Sequence, residues 1–288
     1  MPEMPEIQAH AERLTDRFAG RVLSGFTPFN FTALKTAVPS PAEAYGRPLV
    51  DVGRRGKYLL VRFEPITFVV HLMQGGRLEP DTKHSAKPRG GQARFDFDPV
   101  ERADGSLDDA ALLLTEQGKE RRAGVWCVPT AAVLAAPPLD KLGPEAATIT
   151  DGDLAALFAS NSMRLHGFLR DQRMIAGIGR RLANEVCHRA RLSPFANTRK
   201  LGPEGAAIVG AAIRSCIDEG LAHERTLDGM SSSKDRPSAM HSRTGEPCPV
   251  CGDSVRAVEY SGYTVNYCPT CQTGGKVLAD NTTSKFLK

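Results

Sequence analysis

Residues 248–271 read CPVCGDSVRAVEYSGYTVNYCPTC, in which two Cys-x2-Cys pairs are separated by sixteen residues. This spacing is typical of a zinc ribbon, because each pair can lie on a tight turn that directs two thiolates at one tetrahedral ion. A pair of disulfides is the alternative, and the Cys-x2-Cys spacing argues against it. The sequence therefore predicts one structural Zn²⁺ ion, bound by Cys248, Cys251, Cys268 and Cys271.

The composition is that of a folded protein in water. The chain has 288 residues, enough for about two domains. A hydrophobic content of 41% and a charged content of 24% exclude wholesale disorder and a fibrous repeat. No apolar run approaches the ~18 residues of a membrane span, and the first thirty residues lack the apolar core of a signal peptide. We therefore expect a cytoplasmic protein with no membrane partner, in which the isolated Cys127, Cys187 and Cys216 are small buried side chains.

Charge is distributed unevenly. The net charge of +4 is too small by itself to indicate a nucleic-acid partner. Residues 164–200, however, contain nine basic and two acidic residues, a net charge of +7. Such a segment suits the surface of a polyanion, and a solvated basic helix face is the alternative interpretation.

The first part of the chain is predicted to form a helix followed by a series of strands. Ile7, Ala11, Leu14 and Phe18 give that helix one apolar face. Residues 57–63 and 67–72 predict an antiparallel hairpin, and further strands are predicted at residues 93–97, 111–115 and 124–128. A stretch rich in proline and alanine, residues 131–144, predicts an interdomain connection.

Helical patterning follows the connection. The predicted helices cover residues 153–159, 163–171, 180–190 and 204–219. The last has Pro203 at a favoured first-turn position and Gly220 as a predicted stop. Residues 228–246 are rich in serine, glycine and charge, and predict a mobile loop.

Two glycines open the most basic stretch of the chain. Gly177 and Gly179 lie between two predicted helices and allow a tight turn and a close backbone approach at a helix N-terminus. The N–H groups and the positive dipole end at such a terminus can bind phosphate. A packing device between helices is the alternative, and the neighbouring basic residues favour a clamp on a duplex backbone.

The N-terminus reads MPEMPE. Methionine before a small residue is normally removed, and we expect that removal of Met1 leaves Pro2 with an unblocked secondary amine. Such an amine can attack an aldehyde-level sugar carbon and form an iminium, with Glu3 beside it as a proton shuttle. The alternative is an exposed helix start, where proline and glutamate are both common.

Motifs along the whole chain carry a family resemblance. They are PEMPE (2–6), GRRGKYLL (53–60), HL (71–72), LGPE (142–145), DQ (171–172), AGIG (176–179), ANE (183–185) and the four cysteines. In this order they resemble the formamidopyrimidine-DNA glycosylase and endonuclease VIII family. The resemblance implies an α+β multidomain protein with an N-terminal β-sandwich flanked by helices, a helix–two-turn–helix domain and a C-terminal zinc ribbon whose hairpin enters the DNA groove.

Domain boundaries follow from the motifs and the composition together. We expect a catalytic β-sandwich domain at residues 1–130, a linker at 131–150 and the helix–two-turn–helix domain at 151–230. A mobile loop at 231–245 and the ribbon at 246–288 complete the chain. The resemblance also implies a partner, damaged double-stranded DNA. We expect a monomer with no protein partner, associated with the nucleoid when it is bound to DNA.

The resemblance implies catalytic roles for four residues. Pro2 would be the nucleophile at C1′ of the damaged nucleotide, and Glu3 the proton donor at the sugar. Lys57 would contact phosphate near the lesion and assist elimination; an exposed lysine at a strand start is the alternative. Glu6 matches a second carboxylate of the motif, or caps the helix. The implied chemistry is base release through an iminium, followed by β- and δ-elimination.

The sequence departs from the family pattern where DNA is contacted. The void-filling methionine of the family is replaced by Gln74, with Met73 one residue early, and Ala123 follows Arg121 and Arg122 where the family has phenylalanine. Arg180 replaces an asparagine beside Gly179 and Arg181, and Tyr263 replaces the arginine of the ribbon hairpin. We expect DNA contacts from a set that includes these departures: Gln74, Arg121, Arg122, Gly179, Arg180, Arg181 and Tyr263. Because of the departures, void filling is expected to differ or to be weaker.

The leading hypothesis is a bifunctional DNA glycosylase and abasic-site lyase that removes oxidised bases. Two alternatives stay open. The first is an abasic-site lyase with weak base excision, suggested by Gln74, Ala123 and Tyr263. The second is a non-catalytic protein that binds damaged DNA, against which the Pro2-Glu3 terminus and Lys57 argue.

Overall fold

The structure, a computed structural model of the chain, describes residues 1–117, 121–232, 235–260 and 262–278. It divides the chain into two compact units, one formed by residues 1–2 and 6–141 and the other by residues 3–5 and 142 onward. The division falls inside the segment that the sequence assigns to the linker, and the predicted domain boundaries stay predictions. Residues 118–120 of the predicted catalytic domain, 233–234 of the predicted loop, and 261 and 279–288 of the predicted ribbon lie outside the described residues.

The opening helix, α1 (Met4–Phe18), forms as its apolar spacing predicts. The four residues of the predicted face, Ile7, Ala11, Leu14 and Phe18, are each at most 2% exposed. The ring of Phe18 packs against Phe97 of the sandwich, with centroids 5.3 Å apart. The helix therefore contributes one continuous apolar stripe to the core of the first unit.

Two four-stranded antiparallel sheets form the first unit, with strand orders β1-β6-β9-β5 and β10-β4-β3-β2. The strands are β1 (Leu23–Pro28), β2 (Asp51–Arg55), β3 (Tyr58–Phe63), β4 (Ile66–His71), β5 (Gly76–Asp81), β6 (Gly91–Phe97), β7 (Val100–Glu101), β8 (Leu107–Asp108), β9 (Ala111–Glu116) and β10 (Gly124–Pro129). The short β7 and β8 pair with each other. The predicted hairpin is confirmed as β3 and β4, and the three further predicted strands lie within β6, β9 and β10.

Aromatic rings join the two sheets face to face. Phe26 of β1 and Phe95 of β6 contact Phe68 of β4, with ring centroids 5.5 and 5.1 Å apart. Phe68 and Phe95 are fully buried. Burial of each such side chain is worth about 1.5–3 kcal/mol relative to exposure. The arrangement is a β-sandwich, as the resemblance implies.

Helices form the core of the second unit: α2 (Asp151–Ser160), α3 (Leu165–Arg170), α4 (Arg180–Arg189) and α5 (Thr198–Arg225). The rings of Phe158 in α2 and Phe168 in α3 meet edge to face with centroids 5.0 Å apart. Leu182 of α4 and Ile213 of α5 belong to the same buried cluster. The predicted helices are confirmed, with differences at their ends.

Helix α5 differs from its prediction at both ends. Gly202 has a left-handed backbone (φ +63°) and divides α5 into two helical segments. The predicted start at residue 204 corresponds to the beginning of the second segment, which follows Gly202. The predicted stop at Gly220 is wrong, because the helix continues to Arg225. Gly220 instead allows a close approach, since a Cβ atom there would lie 3.1 Å from Cγ of Pro5.

The C-terminal hairpin pairs β11 (Arg256–Tyr260) with β12 (Tyr263–Tyr267), and α6 (Pro269–Thr273) follows it. Val258, Val265 and Tyr267 form a small buried cluster beneath the hairpin. The α+β class and the ribbon at the C-terminus agree with the sequence prediction. Within the described ranges, no helix combines the length and the apolar character that a bilayer crossing requires.

Candidate functional site

The carboxylate of Glu3 lies at the N-terminus of α4. Its Oε1 accepts a hydrogen bond from the backbone N–H of Arg181 at 3.0 Å, and its Oε2 accepts one from Leu182 at 2.9 Å. Glu3 is 4% exposed. The first turn of a helix has N–H groups without intrahelical partners and a partial positive charge, and both stabilise a carboxylate placed there. The second unit therefore holds Glu3 in one orientation.

Gly177 and Gly179 make this placement possible. A Cβ atom on Gly179 would lie 2.2 Å from Oε1 of Glu3, so only glycine leaves room for the carboxylate. Gly177 has φ +106°, and its carbonyl oxygen accepts the backbone N–H of Met4 at 3.0 Å. The expectation of a phosphate seat needs correction, because the Arg181 and Leu182 N–H groups bind a carboxylate of the same chain. A DNA contact by Gly179 stays a prediction.

Pro2, Glu6 and Lys57 are buried in the first unit. Glu6, in α1, is 1% exposed, and Lys57 is 7% exposed. Lys57 lies in the tight turn between β2 and β3, where Gly56 has φ +57°. Lys57 is therefore not the exposed strand-start lysine of the alternative interpretation. The chemical roles assigned to these three residues stay predictions.

His71 lies at the end of β4 and is held neutral. Burial, and to a smaller extent the positive charge of Lys57, lower the pKa of His71 to about 4. Its Nδ1 accepts the backbone N–H of Met73 at 3.3 Å, and its ring contacts that of Tyr58 with centroids 4.5 Å apart. In the sequence, His71 is recognisable only as part of the HL motif at residues 71–72. The charge of Lys57 acts on His71 because Tyr58, the next residue after Lys57, pairs with His71 in the sheet.

The void-filling positions differ in exposure. Gln74 is exposed, whereas Met73 is half-buried and has a left-handed backbone with φ +53°. Ala123 is 1% exposed, and its backbone N–H donates to the Glu116 carboxylate at 2.6 Å. Among these positions, Gln74 is thus open to an approaching duplex and Ala123 is not.

The exposed side chains of Arg121 and Arg122 precede Ala123. Guanidinium groups exposed in this way suit contact with phosphate. The DNA contacts of Arg121, Arg122 and Gln74 stay predictions.

Arg181 differs from its neighbour Arg180. The side chain of Arg181 is 8% exposed, which favours packing over the predicted DNA contact. Arg180 is half-buried, and its Nη1 donates to the carbonyl oxygen of Gly262 at 3.0 Å. The ring of Tyr263 stacks on Tyr260, with centroids 4.7 Å apart. Arg180 and Tyr263, two of the predicted DNA-binding residues, therefore meet at the ribbon hairpin.

Helix α4 also anchors part of the segment predicted to be a mobile loop. The carboxylate of Glu185 accepts the backbone N–H groups of Ala239, Met240 and His241 at 2.8, 3.1 and 2.9 Å. Met240 is fully buried. The N–H groups of residues 239–241 are thus engaged, and mobility of the predicted loop stays a prediction.

The four ribbon cysteines converge as their spacing predicts. The Sγ atoms of Cys248, Cys251, Cys268 and Cys271 all lie within 4.8 Å of one another. Asp253 joins the two turns, because its Oδ2 accepts the Thr270 hydroxyl at 2.8 Å. Four thiol ligands in a closed cluster fit a structural zinc ion, which would link the four cysteines when bound. The backbone N–H of Asp253 lowers the pKa of the Cys251 thiol, whereas burial raises the pKa of Cys268 to about 11 and also raises that of Cys271. A bound metal requires all four as thiolates, so metal binding would release their protons.

The three isolated cysteines are buried, as predicted. Burial raises the pKa of Cys127 to about 12 and that of Cys216 to about 12. Burial also raises the pKa of Cys187. Thiols of this kind are poor nucleophiles near neutral pH. They therefore belong to the apolar core, apart from the ribbon cluster.

Two family models match the parts of the chain that hold the β-sandwich and the four-cysteine hairpin. The family model for the N-terminal domain of formamidopyrimidine-DNA glycosylase matches residues 1–114. The model for the zinc finger found in FPG and IleRS matches residues 245–274.

Individual relatives agree with the family models. A formamidopyrimidine-DNA glycosylase of Thermus thermophilus is 32% identical over 292 residues, covering 96% of this chain and all of the relative. An uncharacterized formamidopyrimidine-DNA glycosylase-like protein of Mycobacterium tuberculosis is 43% identical over 155 residues, covering 51% of this chain and 94% of the relative. The crystal structure of the Thermus thermophilus MutM (Fpg) protein aligns with a TM-score of 0.78 at 27% identity, covering 96% of this chain and all of that one. The chain belongs to the formamidopyrimidine-DNA glycosylase family.

Proposed function

We propose that the protein is a base-excision-repair DNA glycosylase with abasic-site lyase activity, and that Pro2 is its nucleophile. The observation that carries the proposal is the carboxylate of Glu3, held by two backbone N–H groups directly after Pro2 in the chain. A carboxylate that follows a secondary amine directly in the chain is the pair that imine chemistry at a sugar carbon needs. Membership of the family supports the same reaction.

The proposed chemistry begins once Met1 is removed. The Pro2 nitrogen attacks C1′ of the damaged nucleotide, and the bond from C1′ to the base breaks, so that the base leaves with the bonding electron pair and takes a proton from water. The Glu3 carboxylate takes the proton from the Pro2 nitrogen and passes it to the ring oxygen O4′ as the bond from C1′ to O4′ breaks. The product is an iminium that links Pro2 to C1′. Loss of a C2′ proton then expels the 3′-phosphate, and a second elimination expels the 5′-phosphate. The strand is cut on both sides of the lesion.

Lys57 and Glu6 are supporting residues in this proposal. Lys57 is a buried cation, and it would bind the phosphate next to the lesion and assist elimination. The neutral imidazole of His71 near Lys57 adds no positive charge that would compete for the same phosphate. Glu6 is buried in the first turn of α1, which suits a carboxylate that stabilises the helix N-terminus.

The substrate in this proposal is duplex DNA, and the metal has a structural role. The basic segment 164–200 and the hairpin of the ribbon supply the duplex-binding surface. The zinc ion would hold the hairpin in place through its four cysteines. The target base must leave the stack before Pro2 can reach C1′, at a cost of a few kcal/mol.

The decisive experiment is reductive trapping. The purified protein is mixed with a duplex containing one abasic site and treated with borohydride, and the conjugate is digested and sequenced by mass spectrometry. We expect a covalent adduct at Pro2, an intact mass without Met1, and loss of the adduct in Pro2→Gly. The assignment to Pro2 is wrong if Pro2→Gly forms as much adduct as the parent at the same zinc content and melting temperature.

A second candidate, abasic-site lyase with weak base excision, is favoured by the exposed Gln74 and the buried Ala123. Neither position offers an aromatic wedge to replace the flipped base. Rates on an abasic duplex are to be compared with rates on duplexes carrying 8-oxoguanine, formamidopyrimidine or thymine glycol. Rapid cleavage of the abasic duplex alone supports the second candidate. Tight binding with no cleavage of any duplex would instead identify a non-catalytic damage-binding protein.

A further inference from the structure

Three arginines of the basic segment meet the ribbon hairpin, whose described residues are 256–260 and 262–267. Arg164 Nη1 donates to the hydroxyl oxygen of Tyr260 at 2.8 Å, and Arg180 Nη1 donates to the carbonyl oxygen of Gly262 at 3.0 Å. The guanidinium carbon of Arg170 lies 3.7 Å from the centroid of the Tyr263 ring. Of the residues that meet here, Arg180 and Tyr263 are predicted from the sequence to contact DNA, whereas Arg164 and Arg170 are not.

Aromatic rings hold two of these guanidinium groups in place. Arg170 lies over Tyr263, which itself stacks on Tyr260 at an interplanar angle of 4°. Arg164 lies over the ring of Phe195 at 4.2 Å. Stacking on a ring uses the face of the guanidinium and leaves its N–H groups at the edge, where they can form a fork to a phosphate. The rings therefore orient the cations without neutralising them.

The hydrogen bonds at the hairpin leave donor capacity. A guanidinium has five N–H donors, and the bond from Arg180 to Gly262 uses one of them. Arg180 and Tyr263 also line a cleft of about 550 Å³ together with His241. The acidic residue on this cleft, Glu259, accepts a hydrogen bond from the Thr264 hydroxyl at 2.8 Å. Arg180 and Glu259 are the charged pair on the cleft itself, and Arg164 and Arg170 add two further cations on the same hairpin outside the lining of the cleft. Together the three arginines favour an anionic ligand at the hairpin.

We propose that Arg164, Arg170 and Arg180 form a phosphate-binding cluster on the ribbon hairpin, in which Tyr263 positions the guanidinium of Arg170 in place of a charge of its own. The ligand is the backbone of duplex DNA, bound through at least two phosphates. The inference rests on the proposed function for its choice of DNA. It concerns binding alone, so it can be tested without catalysis.

The test measures the affinity for an undamaged fluorescent duplex as a function of KCl concentration. Each phosphate contact contributes about 0.9 to the slope of log K against log salt. Arg170→Ala and Arg180→Ala should each weaken binding about tenfold at 0.1 M salt and reduce the slope by about 1. Arg214→Ala is the matched control, because the Arg214 guanidinium is paired with Asp151 at 2.9 Å. It should change affinity less than twofold and leave the slope unchanged.

A rescue variant separates phosphate binding from a purely structural role. Arg170→Ala combined with Tyr263→Arg should restore the salt slope, because the new arginine brings its own charge to the same hairpin position. If Arg170→Ala loses zinc or its cooperative melting, Arg170→Gln replaces it, since a planar amide can still stack on the ring. The proposal of a phosphate-binding cluster is wrong if folded Arg170 variants keep the parent's slope of log K against log salt. It is also wrong if the double variant does not restore that slope.

Different results would contradict the catalytic proposal and the proposal of a phosphate-binding cluster. If the parent forms no borohydride adduct while Arg170→Ala lowers the salt slope, the catalytic proposal is wrong and the cluster is supported. If adduct formation at Pro2 is normal and the slope is insensitive to Arg170 and Arg180, the cluster is wrong and catalysis is supported.

Discussion

Gly179 lacks a side chain at the point where the carboxylate of Glu3 lies. A Cβ atom there would be 2.2 Å from Oε1 and 2.5 Å from Cδ of Glu3. Both distances are shorter than any tolerated contact, and the carboxylate cannot shift without leaving the N–H groups of Arg181 and Leu182. The glycine at the start of α4 and the glutamate near the N-terminus therefore depend on each other structurally.

Gly179→Ala is predicted to displace Glu3 and to lower activity more than stability. The clash and the loss of two hydrogen bonds should cost about 1–3 kcal/mol of unfolding free energy. We expect cleavage of an abasic duplex to fall at least tenfold at constant zinc content. Single-turnover cleavage and thermal melting measure the two effects.

Gly167→Ala is the matched control for this substitution. Gly167 lies in α3, its Cβ position has no heavy atom within 4 Å, and its backbone is helical. Alanine there should leave cleavage unchanged and raise stability by up to about 1 kcal/mol. Parental cleavage by Gly179→Ala would contradict the role assigned to the glycine.

Stability is predicted to fall between pH 6.5 and pH 4. Burial lowers the pKa of His10, His71 and His166 to about 4 each, from an ordinary value of 6.5. Between these two values the unfolded chain binds protons that the folded chain does not, so protonation favours unfolding as the pH falls. The stabilisation is fully present above pH 6.5 and is lost as the pH approaches 4. Denaturant unfolding at pH 7.5, 6, 5 and 4.5 measures it.

His10→Gln assigns part of this pH dependence to one residue. Nε2 of His10 is 2.8 Å from the carbonyl oxygen of Leu78, and a glutamine amide can replace this donor without titrating. The variant should lose up to about 3 kcal/mol less than the parent between pH 7.5 and pH 4. His71 and His166 remain, so the variant should keep part of the dependence. An identical pH profile in both proteins would contradict the assignment.

Removal of zinc is predicted to make the four ribbon thiols reactive and to leave the three isolated, buried thiols unreactive. Chelation of zinc should release the ribbon cysteines to an aromatic disulfide reagent at pH 8, because the thiolate is the reacting form. Cys127 and Cys216, whose pKa values burial raises to about 12, should stay unreactive while the fold of their units persists. If all seven thiols react rapidly while the circular dichroism is unchanged, the distinction between ribbon thiols and buried thiols is wrong. Affinity for duplex DNA should fall with the loss of the hairpin.

Glu185→Ala is predicted to loosen the segment at residues 239–241. In the parent, the Glu185 carboxylate accepts three backbone N–H groups of this segment. Their hydrogen exchange should be slow in the parent and at least tenfold faster in the variant. Asp218→Ala, which removes a carboxylate from an exposed position on α5, is the control and should leave these amides unchanged. Fast exchange already in the parent would favour the mobile loop predicted from composition.

Local patterns predicted most of the elements. The spacing of Ile7, Ala11, Leu14 and Phe18 placed α1, and the alternating apolar residues after Lys57 placed β3 and β4. The role of Gly220 cannot be read from the local sequence, because a helix stop and a close approach to Pro5 both favour glycine. Only the packing of the helical unit distinguishes the two uses.

The spacing of residues along the chain is enough to specify the four-cysteine centre, the helix α1 and the hairpin of β3 and β4, because each depends on residues that are neighbours in sequence. The strands β1, β2 and β5 were not predicted. The contact of Glu3 with Arg181, 178 residues later, and that of Arg170 with Tyr263 became visible only in the folded chain. Contacts over such separations depend on how whole elements pack together. No local periodicity records that packing.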